Sequence, residues 1–262
     1  VELLDALQPF VNLGTGPIEI VTGIFTRISA LVFFLPAMGE RTVNPRIRLG
    51  AAMAIAVMLT PVVMAHNPVA PTTLSGLVVT MGAEALSGAL IGFSIRVVMF
   101  VLQMAGSIAA QHTSLAQLFG GTIDDQPEPP IGMVLTMAGL ALAVSTGIHF
   151  KAFGALAISY DVMPFGSFPG GSEAGAWAAD RAAFAFSSAL ALALPFVVLG
   201  FIYNLAIGAA NRAMPQLMVA FVGAPAITLA GLVMLVLATP IIFSVWLHLV
   251  DGVFAALIGG AR

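Results

Sequence analysis

Between Leu74 and Ala110 the chain runs through an apolar stretch with no proline and with only Glu84 and Arg96 as charges. As one helix this stretch would be about 55 Å long at 1.5 Å per residue, against roughly 30 Å of hydrocarbon in a bilayer. It is too apolar for the surface of a soluble globule and too long for a simple span, so it must tilt steeply, bend or project. The rest of the chain agrees. It is 60% hydrophobic and 8% charged, with a mean hydropathy of +1.05, whereas soluble domains are about a quarter charged. The expected class is an all-α membrane protein. A net charge of −3 offers no basic surface, so nucleic acid is not an expected partner. The absence of cysteine excludes disulfides, thiolate metal ligands and cysteine nucleophiles.

Charge, proline and glycine divide the chain into six apolar stretches: Val11 to Met38, Leu49 to Ala65, Leu74 to Ala110, Ile131 to Ile148, Ala182 to Ala210 and Leu217 to Leu249. A weaker one, Ala152 to Met163, lies between the fourth and fifth. They are rich in Ala, Leu and Met and lack period-two alternation, which argues against strands. Nothing long and polar separates them, so residues 1–262 read as one domain. Pro17, Pro36, Pro195, Pro225 and Pro240 break these stretches, which is tolerated where neighbouring protein or water satisfies the freed backbone groups. Over-long and broken helices of this kind point to surface covered by partner subunits as well as by membrane lipid. The loop from Gly39 to Arg48, with Arg41, Arg46 and Arg48, is the best candidate for the cytoplasmic side. The acidic, Gly/Pro-rich segments Gln111 to Pro130 and Asp161 to Arg181 read as loops. The first residues are acidic where a signal peptide would be positive, so the first stretch is expected to be retained.

Ionisable residues inside apolar runs are costly, and four qualify as buried charges: Glu19, Arg27, Glu84 and Arg96. Glu19 and Arg27 would lie about 12 Å apart along a helix, and Glu84 and Arg96 about 18 Å apart and some 120° around it. Neither spacing makes an intrahelical pair, so each group needs a partner on another segment, another subunit or in water. The readings open here are a fixed ion pair, a proton or ion relay, and snorkelling to an interface. Gly88, Gly92, Ala105, Gly106, Ala109 and Ala110 allow another helix to approach closely. Beyond them come Gln111, His112, Ser114 and Gln117, then Leu118, Phe119, Gly120 and Gly121. That is a polar helix end leading into a flexible segment, a candidate plug or constriction. Farther on, Gly200, Asn204, Gly208 and Arg212 recur at every fourth position and are followed by Pro215 and Gln216. They form a candidate helix-hairpin or subunit junction, with Arg212 near a helix C-terminus.

No His-Glu-x-x-His, Gly-x-Ser-x-Gly or Walker A pattern occurs. The four histidines are widely scattered, so no catalytic residue, cofactor or metal site is expected.

The segment NLAIGAANRAMPQLMVAFVGAP, residues 204–225, resembles the signature of the flagellar FliR family. So do FTRISALVFFLPAMGERTVNPRIRLG near the start, GAEALSGALIGF at 82–93, QMAGSIAAQHTSLAQLFGG at 103–121 and STGIHF with SYDVMPFG between 145 and 166, in the family's order. Two positions depart from the pattern: Met218 stands where the family has Asn, and a paired histidine is reduced to His149. The resemblance implies a subunit of the type III export gate, packed in long helical hairpins against P-type and Q-type subunits beside B-type and A-type export components. Unfolded flagellar proteins would be the substrates. It implies a multi-pass protein of the bacterial inner membrane at the flagellar basal body, part of it on the periplasmic side, and a plug in the segment from Ser107 to Ile123. The homologous virulence injectisome subunit is the nearest alternative, and a small-molecule or ion transporter is one of another class.

Overall fold

The computed structural model describes residues 15–259 apart from 41, 67, 72, 114–129 and 214–218. The described residues form seven helices and no strand: α1 (Thr15–Phe34), α2 (Pro45–Met64), α3 (Leu74–Thr113), α4 (Pro130–Ser145), α5 (Ile148–Val162), α6 (Gly171–Ala213) and α7 (Val219–Gly259). The protein is an all-α membrane protein. α2, α3, α6 and α7 are each long and apolar enough to cross a membrane, and α4 with α5 adds one more if that bent pair is a single span.

Local chemistry sets the helix ends. α1 stops just before Pro36, and the turn that follows places Ala37 at φ 69°, a left-handed conformation. Asn44 caps α2 by accepting a hydrogen bond from the Arg46 amide at 2.9 Å, with Pro45 at the first helical position. Thr73 does the same for α3, its hydroxyl accepting from the Gly76 amide at 3.1 Å. Pro61, Pro195, Pro225 and Pro240 interrupt the hydrogen-bond ladders of α2, α6 and α7 without ending them, since each removes a single N–H. The sharp bend comes instead between α4 and α5, which meet at 65°. There Gly147 adopts φ 71°, which costs glycine little because it has no Cβ.

One loop expectation is corrected. The segment Asp161 to Arg181 is helical at both ends: α5 continues to Val162, and α6 begins at Gly171. The stretch AGAWAADRAA is rich in alanine, the best helix former, and this outweighs its single glycine, Gly175, and single acid, Asp180.

The chain separates into two compact units interleaved in sequence. One comprises Val1–Arg96, Val144–Ala178 and Gly252–Arg262, the other Val97–Ala143 and Ala179–Asp251. In the first unit α1 lies against α3 where the glycines stand: a Cβ on Gly88 would collide with the Arg27 carbonyl oxygen, and one on Gly92 would press on Leu31 and Phe34. In the second, α3 and α4 approach through Gly106 and Gly132, whose backbones leave no room for a side chain on Gly106. There the Trp246 indole of α7 is fully buried and donates to the Val98 carbonyl of α3 at 2.8 Å.

Candidate functional site

The close approach of α1 and α3 has a chemical purpose at its centre. Arg27 and Glu84 are both completely buried, and they form a two-point pair: Nε donates to Glu84 Oε2 at 2.8 Å and Nη2 to Oε1 at 2.9 Å. Leaving two such charges in an apolar interior is costly unless every lone pair and proton finds a partner. Here α5 and the loop after it supply the remainder. Arg27 Nη1 donates to the Ser159 hydroxyl at 3.1 Å and Nη2 to the Met163 carbonyl at 3.0 Å. The guanidinium also lies 3.9 Å from the centre of the Tyr160 ring, a cation–π contact. Glu84 in turn accepts from the Tyr160 hydroxyl at 3.3 Å and from the Gly166 amide at 2.9 Å.

All three guanidinium nitrogens and both carboxylate oxygens are therefore bonded. Of the readings open for these charges, this geometry is that of a fixed ion pair. It ties α1, α3, α5 and the loop Met163–Gly166 to one point. Gly166 reaches Glu84 with its amide because it takes φ 74°. The same loop is pinned by Phe165, whose ring occupies the space a Cβ on Gly23 would need.

The other two charges are placed differently. Glu19 is half-buried in the second turn of α1 rather than sealed in. Arg96 retains 21% exposure and pairs with Glu40, itself 29% exposed, from the turn after α1. The Glu40 carbonyl also accepts from Nη2 of Arg48. The fully buried charges are thus Arg27 and Glu84 alone among the four; Glu19 and Arg96 keep part of their surface uncovered.

The stripe of small and polar residues on α6 divides. Gly200 sits against the backbone of His112, a Cβ there falling 2.8 Å from its carbonyl oxygen. Asn204, Gly208 and Arg212 are exposed, and nothing lies within 4 Å of a Cβ on Gly208. The hairpin contact between α6 and α7 is made one face around, where Tyr203 and Ile207 meet Gly223. Among the described residues the contact of α6 with α7 therefore runs through Tyr203 and Ile207 rather than through Asn204, Gly208 and Arg212. Pro215 and Gln216 lie outside the described residues. Of the candidate plug, Gln111 is exposed and His112 half-buried at the end of α3, while Thr113 is sealed against Gly231. Ser114, Gln117, Leu118, Phe119, Gly120 and Gly121 also lie outside the described residues.

Sequence reasoning found Arg27 and Glu84 but not Ser159, Tyr160, Glu40 or Trp246. A tyrosine in an apolar run was the available signal, because a buried hydroxyl requires a partner. Among the described residues no group of three His, Asp or Glu side chains converges as a metal ion would require.

Residues 18–253 match the family model described as bacterial export proteins, family 1. The chain is 33% identical over 226 residues to the flagellar biosynthetic protein FliR of Caulobacter vibrioides, which covers 85% of this chain and 89% of that protein. It is 28% identical over 235 residues to FliR of Escherichia coli strain K12, covering 88% of each. A shorter match, 27% over 155 residues, links it to the Yop proteins translocation protein T of Yersinia pestis, with 58% of this chain and 59% of that protein covered. The Arg27–Glu84 pair and the glycines that admit it lie inside the matched region, and with nearly the whole fold covered, the chain belongs to the bacterial export proteins, family 1.

Proposed function

We propose that this protein is a non-enzymatic subunit of the flagellar type III protein export gate, helping to form the closed channel through which unfolded flagellar proteins leave the cytoplasm. The observation that carries this reading is similarity to FliR proteins over nearly the full length of both chains. The match to the Yersinia translocation protein is shorter, which favours the flagellar system over the injectisome. A large uncovered apolar surface supports a hetero-oligomer: Phe186, Leu190, Leu194, Val198, Phe201 and Leu205 of α6 are all exposed. Such a surface requires lipid or protein against it, and the partners are P-type and Q-type gate subunits, with B-type and A-type export components beside them. The protein acts in the bacterial inner membrane at the flagellar basal body, with residues 1–262 working as one gate domain.

Two finer assignments follow. Asn204, Gly208 and Arg212 are exposed in the single chain and, with Pro215 and Gln216, serve as a junction to a neighbouring subunit. The segment from Ser107 to Ile123 acts as the plug, with Gln111, His112, Ser114 and Gln117 hydrogen-bonding across the lumen and Leu118 and Phe119 excluding water. Gly120 and Gly121 serve as its hinge. A native mass spectrum of the detergent-extracted complex tests the main reading. Other membrane subunit types should accompany this chain, and a stable homo-oligomer without them would overturn it. A deletion within the plug that preserves assembly should raise ion conductance, whereas an assembled deletion complex as tight as the parent would assign the seal to another subunit.

A further inference from the structure

The C-terminal end of α2 is fastened to α5 by one histidine. His66 Nδ1 lies 3.0 Å from the Val62 carbonyl oxygen in the last turn of α2, and Nε2 lies 2.9 Å from Asp161 Oδ1 near the end of α5. Both partners are acceptors. A neutral imidazole carries one N–H and one lone pair, so it can satisfy only one of them and must turn its lone pair against the other. The imidazolium has two N–H donors and satisfies both. Its charge also suits a helix C-terminus, where free carbonyls concentrate negative potential. The arrangement is thus complete only with His66 protonated.

We infer that His66 and Asp161 form a proton-dependent latch that holds the end of α2 on α5 in acid and loosens as the medium becomes alkaline. Along its length α2 packs on α1 through one narrow face that includes Ala52, Ala56 and Val63, so that 17% of its most apolar stretch is buried, and Ile47, Leu49, Val57 and Met58 along it are exposed. At the other side of the latch, α5 carries Ser159, and the carbonyl of Met163 follows; both accept from Arg27. The latch therefore joins a largely uncovered helix to the hydrogen-bonded cluster around Arg27. The titratable and charged groups on the helices packed against α2 are Glu19 and Arg27 on α1, and His149, Lys151, Tyr160 and Asp161 on α5. Of these, Asp161 is the one that bonds and charges against His66. Its hydrogen bond, aided by that of Val62, raises the histidine above its ordinary 6.5.

The sign follows from that direction. A group whose pKa is higher in the folded state contributes its stabilisation fully below the unfolded value and loses it as pH rises through the folded one. The latch is accordingly closed below 6.5 and opens as pH climbs through the raised value. His66 and the arginine-bearing start of α2 are at opposite ends of that helix. With the arginines on the cytoplasmic side, the latch meets the outer aqueous phase and responds to its acidity.

The chain has no cysteine, so spin labels on introduced Met58→Cys and Phe150→Cys, both at exposed sites, would report the separation of α2 and α5 in the full-length protein. The distance distribution should be narrow at pH 6 and broaden by pH 8, with a midpoint above 6.5. His66→Gln and Asp161→Asn should each abolish that pH response. A distribution unchanged with pH in the parent, or a response that survives both substitutions, would overturn the latch. Nitrogen-15 spectra of the parent's histidines give a check that needs no variant: at pH 6.5 His66 should be mostly doubly protonated, and a neutral ring at that pH overturns the proposal.

Discussion

α3 and α6 are alike in length and hydropathy. Each supplies a candidate span of 40 residues, with a mean hydropathy of 2.1 in α3 and 2.3 in α6. Yet 61% of the most apolar stretch of α3 is buried, against 22% of that of α6. The difference lies in what stands between the apolar residues. α3 carries Gly88, Gly92 and Gly106 where another backbone passes, and it carries Glu84, which draws Arg27, Tyr160 and Gly166 onto it. α6 has one comparable approach, at Gly200, and then presents Phe201, Ile202 and Leu205 outward. Hydropathy measures the cost of contact with water; it does not say whether chain, partner or lipid excludes that water.

The comparison breaks most visibly at the ion pair. Replacing Arg27 with Leu or Glu84 with Leu strands the other charge in an apolar interior and should cost about 3 to 5 kcal/mol. Replacing both with apolar residues of similar volume should recover much of that loss, since the desolvation penalty disappears with the charges. Thermal melting of the detergent-solubilised chain checks this, and single variants as stable as the parent would show that water reaches the pair.

A smaller effect is expected at Gly106. An alanine there collides with the backbone of Gly132 and should destabilise the second unit by about 1 to 3 kcal/mol, the usual range for overpacking. Melting or proteolysis rates would register it. The counterpart on α6 should behave oppositely. Gly208 lies in a helix with open space around it, so Gly208→Ala should stabilise the isolated chain by about 0.5 to 1 kcal/mol through helix propensity. The same substitution sharpens the contrast when assembly is measured. If a neighbouring subunit approaches at that stripe, the variant melts higher alone but is recovered in less complex; equal recovery would remove Gly208 from the junction.

Much of the site was legible because its chemistry is conspicuous. A charge in an apolar run needs a partner, and the spacing of Glu84 from Arg96 ruled out each as the other's. What spacing could not supply was the partner's identity: Arg27 is 57 positions from Glu84, and Ser159 is 132 from Arg27. Glu40 was hidden for a different reason. It stands in a polar turn where acids are ordinary, and only the path of that turn brings it to Arg96. Prolines were legible as interruptions, but the sharp bend fell at Gly147, because a helix tolerates one missing donor more readily than a residue in the left-handed region.

The sequence by itself determined that this chain is helical, that its helices are too long and too apolar to be covered by water, and that Arg27 and Glu84 require compensation. Those properties follow from local periodicity and from the cost of desolvating a charge, neither of which depends on what lies nearby. Tertiary structure alone decided which apolar helix became core, which of four charges were sealed, and that Tyr203 and Ile207 rather than Asn204 and Gly208 meet α7. The reason is that burial belongs to pairs of surfaces, and a pair is fixed only when close approach, shape and hydrogen-bond complement are satisfied together.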